Sequence, residues 1–246
     1  MKEKKGVYLL PNLFTTASLF AGFCSIVASI QAHWERAVIT IIIAGILDGL
    51  DGRIARLTGA VSNFGVQYDS LSDLIAFGVA PSILAYTYAL YSFGRWGWLA
   101  AFLFLACGAL RLARFNVQVK KLDIRFFTGL PIPAAAGTLA LTVFNLNRLP
   151  MEPALRNHIL IAFTYILSFL MVSTFRYYSF KDLEHIKDKP FRVALGVVLL
   201  LVLIMSQPFF ILWCMGIAYA VSAPISFVLY LMRRRKEEKT SKVDIV

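Results

Sequence analysis

Long apolar runs separated by short polar breaks recur along the whole chain, at about 12–31, 37–56, 68–92, 97–116, 130–147, 156–176, 192–207 and 209–231. Many approach the ~20 residues that a helix needs to cross a bilayer. They are too long and too evenly apolar to be the alternating strands of a membrane barrel. The pattern predicts an all-α polytopic membrane protein: one domain over 1–246, built as a bundle of about eight transmembrane helices. The run after the basic start "MKEKK" has no small-residue cleavage site, so it is expected to remain as the first span.

Composition sharpens this picture. The chain is 59% hydrophobic and only 16% charged, against roughly 45–50% and 25% in soluble domains. A net charge of +11 would suit nucleic acid, but the Lys and Arg residues cluster between the apolar runs, as topology signals do. Nucleic acid is therefore not an expected partner. If the runs alternate across a membrane, all 25 Lys and Arg except Arg36, Arg95, Arg148 and Arg156 fall on one side. The positive-inside rule then places both termini in the cytoplasm, including the tail from about 233 to 246, with the chain a multi-pass protein of the cell (inner) membrane. Cys24, Cys107 and Cys214 lie singly in separate apolar runs and read as free thiols. His33, His158 and His185 are scattered, which argues against zinc.

Against this background, "LDGLDGRIARLTGAVSNFGVQYDSLSD" at 47–73 is out of place. It puts Asp48 and Asp51 three apart and Asp69 and Asp73 four apart, so each pair shares one helix face. Between the pairs, Gly52, Gly59 and Gly65 with Thr58, Ser62 and Asn63 read as a helix end and a turn, after which the second helix returns antiparallel. An Asp exposed to lipid at a helix centre costs on the order of 2.5–3.5 kcal/mol, so these side chains must face protein or a wet cavity. Four converging carboxylates need cations, and an all-oxygen donor set suits Mg²⁺, Mn²⁺ or Ca²⁺. Two such ions form a clamp for phosphoryl displacement, and Arg56 is placed to hold a phosphate. Salt bridges to Arg53 and Arg56 would leave charge uncompensated. Spacing alone leaves a divalent-cation transporter open as the rival from another class.

The stretch also fits D-x2-D-G-x2-A-R-x8-G-x3-D-x3-D at Asp48, Asp51, Gly52, Ala55, Arg56, Gly65, Asp69 and Asp73. In this it resembles the CDP-alcohol phosphotransferase family of integral membrane enzymes. "PNLFT" at 11–15, "VQYDSLSDLIAFGVAPS" at 66–82, "CGALRLARFN" at 107–116 and "GLPIPAAAG" at 129–137 extend the likeness toward members whose acceptor is L-serine. The likeness covers the first 140 or so residues, and the remainder only in hydropathy. It implies that Asp48, Asp51 and Asp69 ligate one divalent ion, with Asp69 bridging to a second that Asp73 also touches. It implies a CDP-diacylglycerol site lined by Asn12, Thr15, Gly52, Arg56 and Gly65, and Asp73 as the base that takes the proton of the serine hydroxyl. Products would be phosphatidylserine and CMP, with the active site at the cytoplasmic membrane surface and the chain a homodimer among membrane lipids. For the serine itself, "RLARFNVQVKK" offers Arg111, Arg114, Asn116 and Lys121. Glycerol 3-phosphate and inositol phosphate remain alternative acceptors within the same chemistry.

Overall fold

A computed structural model of the chain describes residues 9–59, 62–118, 126–178 and 190–243. A helix occupies each apolar run: α1 (Leu9–Ile30), α2 (Trp34–Thr58), α3 (Asn63–Asp73) continuing into α4 (Ala80–Tyr88), α5 (Arg95–Gln118), α6 (Ile132–Arg148), α7 (Pro153–Val172), α8 (Pro190–Ser206) and α9 (Pro208–Val243). Among the described residues, five stretches are long and apolar enough to cross a membrane: Pro11–Ile30, Asn63–Tyr88, Arg95–Val117, Pro153–Val172 and Pro208–Leu229. The other three helices fall short for visible reasons. α2 carries a charged first turn and the aspartate end, while α6 and α8 are each 17 residues long.

Three features depart from the reading of the sequence. A two-stranded antiparallel ribbon joins β1 (Phe126–Thr128) to β2 (Arg176–Tyr178), with Phe127 opposite Tyr177. Both strands are short aromatic runs that suit a pleated ribbon, but three residues are too few to register as alternation. The stretch from about 233, expected as a cytoplasmic tail, is helical to Val243, a conformation that the apolar pattern does not assign. Third, the span predicted at 68–92 is not a uniform helix. Leu74–Val79 winds as a π-helix, with the Ala80 amide donating to the Ile75 carbonyl. Pro81 follows directly, without an amide proton and with a ring that crowds the carbonyl four residues back. The wider turn accommodates it, and it re-aims everything beyond Asp73.

α1 is the mast of the aspartate end. Its face Ser18, Ala21, Gly22, Ser25, Ala28 and Ser29 is made of small residues, which let neighbouring backbones approach. Ser18 Oγ donates to the Ala44 carbonyl at 3.0 Å and Ser25 Oγ to the Ala37 carbonyl at 2.9 Å, so α1 and α2 run antiparallel in fixed register. On the other side, a Cβ on Gly22 would lie 2.7 Å from the Ala76 Cα, inside the π-helical turn. α6 is the second pillar, with Ile132, Ala135, Ala136, Leu139, Ala140 and Val143 fully buried. The segment "GLPIPAAAG" therefore starts a packing helix, its prolines at the helix entry and not at a mid-helix kink.

At the opposite end of the bundle from the aspartates, Arg148 closes α6 onto Glu35 of α2 at 3.1 Å. The outward faces of α8 and α9 present Leu199, Leu201, Val202, Met205 and Phe227. Such faces are at home against lipid.

Gly22 gives a direct test of this packing. Alanine would gain helix propensity, but any side chain here meets backbone, so Gly22→Val should lose about 1–3 kcal/mol by overpacking. The midpoint of thermal unfolding in detergent should fall by several degrees. An unchanged midpoint would mean that α1 is free to stand off from the π-helical turn.

Candidate metal and phosphate site

The sequence builds the aspartate corner from two well-marked helix ends. α2 stops where Gly59 takes a left-handed conformation, φ 65°, and its amide donates to the Ala55 carbonyl. α3 begins at Ser62, whose hydroxyl accepts from the Gly65 amide at 3.0 Å. α3 packs beside α1, which brings Asp69 to the level of Asp48 and Asp51.

There Asp48, Asp51 and Asp69 each offer an oxygen within 4.8 Å of the others. Asp51 is the most enclosed of them, 5% exposed. Thr15 on α1 organises the corner. Its hydroxyl lies 2.9 Å from Asp51 Oδ2, and its carbonyl accepts from Ser72 Oγ on α3 at 3.1 Å. One residue thus ties both aspartate-bearing helices to the mast. A second tie joins Thr16 Oγ1 and the Tyr68 hydroxyl at 2.9 Å.

Asp73 stands differently. It does not belong to the compact triad but is hydrogen-bonded through its side chain to Asp48. Two carboxyl groups in that relation need a proton between them or a cation beside them.

The donor set fits a hard divalent ion. All ligand atoms are carboxylate oxygens, they converge, and among the described residues none of the four aspartates is in an ion pair. Arg53 and Arg56, the bases that follow Asp51 in sequence, are exposed. Three or four negative charges gathered without a compensating cation are strongly unfavourable by themselves. A bound metal removes that cost.

Beside the triad opens a cavity of about 220 Å³, lined by residues of α1, α2 and α3 together with Ser62. Asn12, Thr15, Gly52, Arg56 and Gly65 all face it, alongside Asp51 and Asp69. Gly65 is where close approach matters most. A Cβ there would lie 3.1 Å from Ser62 Oγ and 3.5 Å from Asn12 Oδ1. The structure therefore gathers around one cavity the residues that the sequence offered as a nucleotide site. Pro11, Ala55, Ser62 and Val66 complete the wall. Of these additions, Ser62 was legible as a polar turn residue, and its cap position three before Gly65 is the signal that places it.

The four residues considered for the acceptor separate. Arg111 is buried, 8% exposed, with Asp73 among the charges that act on it. Arg114 is committed to backbone: its guanidinium donates to the carbonyls of Thr128, Met171, Val172 and Ser173 at 2.7–3.4 Å. It closes the C-terminus of α7 and the end of β1, which leaves it little capacity for a ligand. Asn116 Nδ2 donates to Ser70 Oγ at 2.9 Å and so braces α3 from α5. Lys121 lies outside the described residues. Thr15 was legible only as a candidate ligand contact and not as the link between helices, and Ser72 opposite it was not legible as its partner.

Comparisons with known proteins give the family to which the chain is similar. Residues 8–170 match the family described as CDP-alcohol phosphatidyltransferase. A protein of Helicobacter pylori named CDP-diacylglycerol–serine O-phosphatidyltransferase is 45% identical over 178 residues, 72% of this chain and 75% of its own. The protein of the same name from Bacillus subtilis is 37% identical over 172 residues, 70% of this chain and 91% of its own. An archaetidylserine synthase of Methanothermobacter thermautotrophicus is 42% identical over 144 residues, 57% of this chain and 60% of its own.

The charge argument predicts a sign. With EDTA present, Asp51→Asn should melt no lower than the unsubstituted protein, because one of the repelling charges is gone while the Thr15 hydroxyl keeps an acceptor. With Mn²⁺ at about a hundred times its Kd, the unsubstituted protein should gain about 2.7 kcal/mol and the variant markedly less. Equal stabilisation of both by Mn²⁺ would show that the triad does not bind it.

Proposed function

This chain belongs to the CDP-alcohol phosphatidyltransferase family, and from that premise we propose that it transfers the phosphatidyl group of CDP-diacylglycerol to the hydroxyl of L-serine, giving phosphatidylserine and CMP. The observation that carries the reading is that Asp51 and Asp69 of the carboxylate triad line the same cavity as Gly52, Arg56 and Gly65. An ion pathway would need the carboxylates but not a phosphate-sized cavity with an arginine at its mouth. The serine acceptor rests on the names of the relatives and on the buried Arg111 near Asp73.

In this reading Asp48, Asp51 and Asp69 would hold divalent metal, Mg²⁺ or Mn²⁺, and Asp73 would complete the carboxylate set for a second ion. When bound, the metal offsets the charge of the pyrophosphate and of the departing CMP. Thr15 keeps Asp51 turned toward the site through its hydroxyl. Arg56 holds a phosphate, Gly52 and Gly65 line the pocket and let the nucleotide approach the backbone, and Asn12 contacts the nucleotide from α1. Asp73 accepts the proton of the serine hydroxyl, a weak nucleophile at neutral pH without a base in reach. The serine oxygen forms its bond to the phosphorus that bears the diacylglycerol, and the bond from that phosphorus to the CMP phosphate oxygen breaks. CMP leaves with the electron pair. Arg111 meets the serine carboxylate.

Topology belongs to the same proposal. All the long helices, including α2, α6 and α8, cross the cell membrane, and α6 with 17 residues still spans about 25 Å. The aspartate corner lies at the cytoplasmic surface. The Lys and Arg asymmetry supports this orientation. It lets the lipid donor keep its tails in the bilayer while serine arrives from water.

Detergent-purified protein given CDP-diacylglycerol and Mn²⁺ should release CMP with L-serine and not with glycerol 3-phosphate or inositol phosphate. Asp73→Asn should slow that release by about 10²–10⁴-fold. Release with another acceptor would keep the chemistry and overturn the substrate. Flux of Mn²⁺ into liposomes without any CMP release would overturn the enzyme reading.

A further inference from the structure

α3 carries Asp69 and Asp73, yet packing alone does not fix how this helix is rolled about its axis. Its outer face is exposed, Phe64 and Leu71 included. What holds it is a small set of hydrogen bonds. Toward α1, the Tyr68 hydroxyl and Thr16 Oγ1 lie 2.9 Å apart, and Ser72 Oγ donates to the Thr15 carbonyl at 3.1 Å. Toward α5, Asn116 Nδ2 donates to Ser70 Oγ at 2.9 Å.

Helix geometry sets these two grips against each other. Each residue advances about 100° around the axis, so Tyr68 and Ser72 lie within about 40° of one another and Ser70 lies about 160° from both. Asp69 and Asp73 project between the two grips. The α1 contacts by themselves form an axle on which α3 can roll, and the Asn116 bond on the far side stops the roll. The magnitude is large for a metal site. A roll of about 20° sweeps an atom at the ~5–6 Å outer radius of a helix through about 2 Å. That is about ten times the ~0.2 Å tolerance of a metal–ligand distance.

Both partners are well placed for this task. The Ser70 hydroxyl donates to the Val66 carbonyl at 3.0 Å, which leaves its lone pairs to accept from the Asn116 amide. α5 is a firm anchor, because Phe104, Cys107 and Leu112 are buried in the core and Arg114 is bonded to the carbonyls at the end of α7. Repulsion among Asp48, Asp51 and Asp69, whose oxygens lie within 4.8 Å, gives the roll a driving force before a cation is bound. The bond from α5 opposes it.

We propose that Asn116 is the positioning residue that fixes the roll of α3, acting through Ser70, and so sets where Asp69 and Asp73 point when a divalent ion arrives. The inference rests on the metal reading given above. It gives to the metal site one of the four residues considered for the acceptor.

The test is Mn²⁺ binding to the full-length, detergent-purified protein, followed by electron paramagnetic resonance without substrate. Asn116→Ala should raise the Mn²⁺ Kd about 3–10-fold, the scale of one hydrogen bond. Ser70→Ala should raise it as much and the double variant no further, because all three lose the same bond. A role in stability alone would lower the melting midpoint of Asn116→Ala in EDTA and leave its Mn²⁺ Kd unchanged, which would overturn the proposal. So would effects that add in the double variant. A KM for L-serine that rises in Asn116→Ala and not in Ser70→Ala would overturn it too, because the amide would then meet the acceptor itself. Should Asn116→Ala not yield folded protein, the Mn²⁺ Kd of Ser70→Ala decides. Unsubstituted protein that binds no Mn²⁺ would overturn the metal reading, and this inference with it.

Discussion

Like charge in a small volume governs the architecture of this protein. Asp48, Asp51 and Asp69 bring their oxygens within 4.8 Å of one another, and Asp73 is hydrogen-bonded to Asp48, with no Lys or Arg of the described residues paired to any of them. Only a close-packed frame holds such a group together before a cation arrives. The frame is α1, whose small-residue face lets α2 and the α3–α4 segment lie against it and whose Thr15 is hydrogen-bonded to both. Packing free energy gathered along the helices is thus spent on holding the repelling carboxylates at one end. This is the preorganisation that a site for a charged transition state requires.

The remaining helices serve that corner at one remove. α6, almost wholly buried, is the surface on which α7 and α9 lean, and the ribbon of β1 and β2 caps the same end of the bundle as the aspartates. Arg114 shows how this works. A guanidinium inside a membrane protein is costly, and here its donors are spent on the carbonyls that α7 leaves unpaired. That fixes the ribbon, and the ribbon fixes Tyr177 and its neighbour on α9.

Much of this was legible in the sequence. Helix positions followed from apolar runs because a membrane helix must be apolar over most of its length, and each expected run does contain a helix. The corner was legible because Asp48 with Asp51, and Asp69 with Asp73, keep helical spacing on either side of a glycine-marked turn. What was not legible depends on contacts between distant residues. Asp73 stands outside the compact triad, and the π-helical turn that follows it is a response to Pro81 and to the close approach of Gly22, not a periodicity. Arg111 and Arg114 are chemically alike and three residues apart. Only the fold shows that one is buried with Asp73 among the charges that act on it while the other is consumed by backbone.

The account stands or falls on what the aspartate corner holds. The most direct measurement is electron paramagnetic resonance of Mn²⁺ added stoichiometrically to the purified protein with CDP present, repeated with Asp69→Asn. The account predicts two bound ions per chain whose spins are coupled at a separation of about 3.5–4 Å, with the coupling lost in the variant. One isolated ion, or binding that Asp69→Asn leaves unchanged, would contradict it.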